Sequence, residues 1–225
     1  MTVLSTSHLM RTRDLEAQGF NRVAIGVMVE RKELVKRGRG LYSSRDYEPT
    51  EHYSLALVAI KYPRAVFCLL TALRLHGITT QNSHDLWIAI ENKPRQRVMD
   101  FPSLKVVRST GPELENGNEQ MTVDGVVKIS VTNLNKTIVE CFKFRHKIGL
   151  NLATEALKEA WTSKKINMEE LHYFAQLMRV DKVMRPYLEV LACSTTPIYE
   201  KIENLSQNNV DLPPIESSLY EPLQR

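Results

Sequence analysis

The period of the apolar positions changes along the chain, and each change predicts an element. Leu15 and Ala17 follow Thr12, which can cap a short helix, and Gly19 suits a left-handed stop behind them. Phe20 reads as a core plug. Asn21 is a good cap for a second helix, with Ile25, Met28 and Val29 as its apolar stripe. Its solvent face is Arg22, Gly26, Val27, Glu30 and Arg31. Gly26 weakens an exposed helix by about 1 kcal/mol against alanine, and close helix packing is the plain reason to keep it. Leu34-Val35 and Leu41-Tyr42 then read as two short strands flanking a tip of Lys36, Arg37, Gly38, Arg39 and Gly40. Helix, glycine turn, helix and hairpin is the order of a winged helix-turn-helix. There the second helix enters a major groove, and the glycines of the hairpin let its backbone approach phosphates.

Beyond residue 48 the pattern becomes that of a larger α+β domain. Thr50 can cap a helix over residues 51–62, with Leu55, Val58 and Ala59 inward and Pro63 as the stop. Residues 65–77, "AVFCLLTALRLHG", predict one nearly all-apolar helix closed by Gly77. "LWIAI" and "LKVVR" are strand signals, and "MTVDGVVKISV" is a hairpin whose Asp124-Gly125 turn fits type I′ chemistry. Four helical stretches follow: "KTIVECFKFRHKIG", "NLATEALKEAWTSKK", "NMEELHYFAQLMRV" and a run over residues 187–191. The expected organisation is an N-terminal winged helix-turn-helix at 1–48 and a domain with a small antiparallel sheet and several helices at 49–193. A polar, flexible tail at 194–225 completes it. The second of these should fold alone, since it carries its own apolar helices and a hairpin. An amphipathic helix is expected before "RTRDLEAQGF", but residues 1–10 offer only Val3, Leu4, Leu9 and Met10, without helical spacing. That helix is therefore expected to be very short, the start truncated, or the small domain completed by an adjacent chain.

Composition adds two points. Among 225 residues, 43% are hydrophobic and 25% charged, a globular balance. No apolar run is long enough to cross a bilayer and no signal-peptide block is evident. Cys68, Cys141 and Cys193 are odd in number, far apart and without CxxC spacing, which suits reduced, buried thiols in a cytoplasm. The net charge of +4 names no partner, but its distribution is uneven. Residues 11–45 carry nine cations against four anions, a local +5, and the remainder sums to −1. Such concentration is the footprint of nucleic-acid binding. The candidate DNA contacts are Arg11, Arg13, Arg22, Arg31, Lys32, Lys36, Arg37 and Arg39. Few of these can read base edges, so specificity is expected from Arg22, from hairpin arginines in a minor groove and from DNA shape.

Catalytic signals are sparse. There is no phosphate-cradling glycine loop, no paired metal-ligand spacing and no nucleophile elbow. His8, His52, His76, His84, His146 and His172 are scattered, and His76, beside a helix-ending glycine, suits a hydrogen bond or the helix dipole. Glu91-Asn92-Lys93 after "LWIAI" could serve phosphate chemistry on a metal, but a nuclease needs a second acid on a neighbouring strand. Asp85 lies on the same strand and "LKVVR" offers none, so a solvated loop explains the trio more simply. No catalytic residue, cofactor or metal is expected.

The order "RTRDLEAQGF", "LVKRGRGLYS", "AVFCLLTALRLHGITTQ", "HDLWIAI", "KTIVECFKFRHKIGL" and "VMRPYLE", over residues 11–191, resembles the AbiEi antitoxins of type IV toxin–antitoxin systems. "RGLY" is shared by many winged helices; "LLTALRLHGITTQ" and "KTIVECFKFRHKIGL" are more specific. The resemblance implies a DNA-binding, non-enzymatic transcriptional autorepressor. It would bind inverted repeats before its own operon, as a dimer or as monomers meeting on DNA. Its larger domain would neutralise a nucleotidyltransferase-like toxin, with the helix face of Lys143, Arg145 and Lys147 as one candidate surface. Arg22, Lys36, Arg37 and Arg39 match the family's DNA-contacting elements. A stand-alone regulator without a toxin, and a metal-dependent nuclease, are the alternatives.

Overall fold

Asparagine caps and glycine stops set many of the helix ends in the computed structural model, which describes residues 9–47, 52–79, 84–91, 101–123 and 127–195. After strand β1 (Met10–Arg11), helix α1 (Thr12–Ala17) starts with the Arg11 amide donating to Asp14 Oδ2 at 3.0 Å. Arg11, not Thr12, therefore holds the cap position. Gly19 takes the left-handed conformation after α1, at φ 92°. Helix α2 (Arg22–Glu30) is capped by Asn21, whose Oδ1 accepts from the Ala24 amide at 2.8 Å. Strands β2 (Leu34–Gly38) and β3 (Leu41–Ser44) form a hairpin with an irregularity between Lys36 and Gly38. The three strands make an antiparallel sheet in the order β1-β3-β2. Leu15, Ile25 and Leu34 are buried together with Met10, and Phe20, Met28 and Val29 pack on them.

Helix α3 (Tyr53–Lys61) buries Leu55, Ala56 and Val58. It is followed by strand β4 (Val66–Phe67), helix α4 (Leu69–Leu75), and strands β5 (Leu86–Ile90) and β6 (Leu104–Arg108). A one-turn helix α5 (Pro112–Glu115) leads to β7 (Asn118–Val123) and β8 (Val127–Thr132). The rest is helical: α6 (Leu134–Lys143), α7 (Arg145–Ile148), α8 (Leu150–Thr162), α9 (Met168–Leu177) and α10 (Asp181–Thr195). Asn133 caps α6 and Asn167 caps α9. The five strands order as β6-β5-β4-β8-β7. Every residue of "LWIAI" is buried, as expected of a strand covered on both faces. Phe67, Ile88, Ile129 and Val131 share one apolar cluster with Leu55 and Val58 of α3, and Leu9, Leu41 and Tyr47 join the same cluster. Residues through Met184 form one compact unit and those from Arg185 a second.

The fold is thus mixed α/β, with two sheets among the described residues, and beyond the α1 cap it corrects the sequence reading further: "KTIVECFKFRHKIG" is not one helix but α6 and α7. The larger sheet is not purely antiparallel, because β4 pairs with β8 and β5 with β6 in parallel. Periodicity within a strand carries no information on the direction of its neighbour. The stretch 65–77 is not one helix: Val66 and Phe67 form a strand between β5 and β8, and only residues from Leu69 on are helical. Short apolar runs fit either state, and here tertiary pairing decides. Cys68 and Cys141 are buried but Cys193 is exposed. The expected turn at Asp124-Gly125, the Thr50 cap, Asn92-Lys93, His8 and nearly all of the expected tail lie outside the described residues.

Candidate nucleic-acid interface

The eight candidate DNA contacts fall into two groups. Arg11 is held against Asp14, Nε to Oδ2 at 3.0 Å, with 22% of its side chain exposed. Burial works against ionisation of Asp14, but the hydrogen bonds and charge of Arg11 outweigh it and hold that carboxyl below its usual range. Arg37, at the irregularity in the hairpin, also turns inward. Its Nε donates to Ser43 Oγ at 2.9 Å, its guanidinium reaches the Tyr47 carbonyl at 3.4 Å, and it stacks over the Tyr47 ring. These two arginines position the backbone. The other six, Arg13, Arg22, Arg31, Lys32, Lys36 and Arg39, are exposed. Arg22 reaches Glu16 at 3.1 Å, a surface contact worth little.

The tip is built by Gly40. Its φ of 75° is one that side chains with a Cβ avoid, and its carbonyl accepts from the Thr12 amide at 3.1 Å. That bond ties the tip to the start of α1. The tip also lines an open cleft with Leu57, Ile60 and Lys61 of α3. Gly26 has open space around it: a Cβ built there meets nothing within 4 Å. Close helix packing is therefore not what keeps glycine at this position.

A second constellation, which sequence reasoning missed, lies under α6. Lys136 is 1% exposed and Glu140 5%. The Lys136 ammonium donates to the Asn116 carbonyl at 2.6 Å and to Asn118 Oδ1 at 2.9 Å. Burial pushes Lys136 down, with the Glu140 charge opposing. Burial pushes Glu140 up to about 7, and Lys136 and the Leu69 amide only partly offset it. Glu140 Oε2 has no hydrogen-bond partner among the described residues. Burial also raises the neighbouring Cys68 and Cys141 thiols, which leaves them protonated and unreactive. The signal available was the four-residue spacing of Lys136 and Glu140 around the apolar residues Ile138 and Val139.

The remaining candidates stay apart. His76 does form a hydrogen bond, Nε2 to the Thr132 carbonyl at 2.8 Å. Asp85 pairs with Lys105 at 3.8 Å. Lys143 is bound to Glu113 at 2.6 Å and the Arg145 guanidinium donates to the Phe142 carbonyl at 2.9 Å, which leaves Lys147 as the exposed part of that cationic face. Among the described residues no three histidine, cysteine or acidic side chains are grouped to hold a metal, and no helix is long and apolar enough to cross a membrane. No protein-family model and no curated protein sequence matches the chain.

Proposed function

We propose that residues 11–45 act as a winged helix-turn-helix on duplex DNA, and that the protein is a transcriptional autorepressor and antitoxin of the AbiEi type. The observation that carries the DNA reading is the strand order β1-β3-β2, with α1 and α2 between the first two strands of the chain. A two-residue hairpin tip bearing Arg39, and a second helix capped by Asn21, both lie within a segment of net charge +5, which supports this reading. Lys36 and Arg39 would neutralise phosphates, while Arg37 and Arg11 hold the hairpin and α1 in shape. Two copies on an inverted repeat would supply the discrimination that one small module lacks. The antitoxin part rests on the resemblance of "LLTALRLHGITTQ" and "KTIVECFKFRHKIGL", and assigns the larger domain the neutralisation of a nucleotidyltransferase-like toxin by binding. Lys147, the exposed cation of that helix face, is its candidate contact.

Two measurements test this. The full chain should bind a duplex taken from directly upstream of its coding sequence, with log K falling linearly in log salt and two protected half-sites in a footprint. Salt-independent or absent binding rejects the DNA reading. Co-expression with the product of the adjacent gene should restore growth that this product alone arrests; persisting arrest rejects the antitoxin reading and leaves a stand-alone regulator.

A further inference from the structure

Three positions on the exposed side of α2 carry residues that neither helix stability nor solvation favours. Val23 is 75% exposed and Val27 is 38% exposed, one helical turn apart. Gly26 lies between them on the same side, with nothing within 4 Å of a Cβ built there. Glycine and β-branched residues each weaken a helix, and exposed valines gain nothing from water. The small core beneath α2 uses the other face, Ile25 with Met28 and Val29. The polar neighbours offer bases little, since Arg22 is the one cation on the first turn of this face and Glu30 carries the charge that phosphates repel.

An uncovered apolar strip inside a segment of net charge +5 is complementary to a groove with phosphate walls and methyl groups on its floor. In duplex DNA that floor is the major groove, where thymine alone presents an apolar C5 methyl. A second copy of the chain would bring the same positive charge to the strip and is disfavoured by it. We propose that Val23 and Val27 contact thymine C5 methyls in the major groove. Gly26 lets the helix backbone approach the bases, so α2 selects its site by methyl contacts more than by hydrogen bonds. The inference rests on the DNA-binding reading of α2 and names what that helix recognises.

The experiment uses the full chain to select duplexes from a random-sequence library, then replaces each thymine of the enriched site by deoxyuridine, which lacks only the methyl. Affinity should fall about fourfold at each contacted thymine, the worth of burying one methyl-sized group. One of these penalties should vanish in Val23→Ala and another in Val27→Ala. Gly26→Leu should bind the selected duplex roughly tenfold more weakly, as overfilling a close contact does, while unfolding no earlier than the wild type. Deoxyuridine tolerated throughout, or penalties unchanged in both valine variants, overturns the methyl contact and leaves DNA binding standing. A library from which nothing is enriched defeats the DNA reading and this inference with it. If Val23→Asp converts a dimer of the free protein to a monomer, the strip belongs to a second copy, and the inference fails.

Discussion

Glu140 and Lys136 stand one turn apart on α6, and burial acts on them in opposite directions. Folded, Glu140 keeps its proton up to about pH 7; unfolded, it releases it near 4.5. Across that window the folded state holds more protons than the unfolded state, so this group makes stability fall as pH rises. Glu140→Gln removes the effect. Urea unfolding should show the variant gaining about 3 kcal/mol on the wild type between about pH 4 and about pH 8, at about 1.4 kcal/mol per pKa unit. Parallel stability profiles would mean that Glu140 titrates normally. Gly117 gives a second residue-scale expectation. Its φ is 67° and a Cβ there would strike the Phe174 ring and crowd Lys136. Gly77 has the same φ but open space. Gly117→Ala should therefore cost about 3 kcal/mol, from strain and overpacking, and Gly77→Ala only about 1 kcal/mol, from strain alone. Equal thermal shifts for the two variants would contradict this.

At the scale of elements, the β2–β3 hairpin separates its cations by role. Lys36 and Arg39 are exposed, whereas Arg37 is bonded to Ser43 and stacked on Tyr47. Lys36→Ala with Arg39→Ala should leave the unfolding midpoint unchanged and flatten the salt dependence of DNA binding by about 1.8 in log K per log salt, about 0.9 per phosphate. Arg37→Ala should instead lower stability by about 1.5–3 kcal/mol, the usual worth of a charged hydrogen bond. A stability loss in the double variant, or none in Arg37→Ala, would reverse the assignment. The first residue of α2 was legible because an asparagine cap is a local device, whereas the sequence reading passes over the Asn133 cap of α6 and starts that helix at Lys136. Strand β4 was not, because two apolar residues become a strand only where β5 and β8 flank them.

For the whole chain, the telling contact is that Leu9, Leu41 and Tyr47 share a cluster with Leu55, Val58 and Phe67. Residues 49–225 expressed alone would expose the apolar surface that those three cover. The fragment should unfold at a lower temperature than the full chain and aggregate more readily. If the fragment matches the full chain in thermal unfolding, the shared cluster contributes nothing. Rescue of growth by this fragment beside the adjacent gene would place any neutralising surface outside residues 1–48, whatever its stability.

Local chemistry alone determined the Asn21 cap, the glycine stop after α1, the strand character of "LWIAI" and the clustering of cations in residues 11–45. Each of these depends on neighbours within a turn or a few residues. Tertiary structure decided which strands run parallel, where α4 begins, and that Arg37 and Arg11 turn inward while Lys36 and Arg39 face solvent. It also decided that Lys136 and Glu140 are buried, and that Gly26 faces open space. The reason is the same in each case. Strand direction, burial and the orientation of a long side chain are set by residues distant in sequence, such as Tyr47 beside Arg37 and Asn116 beside Lys136, and periodicity reports only the element to which a residue belongs.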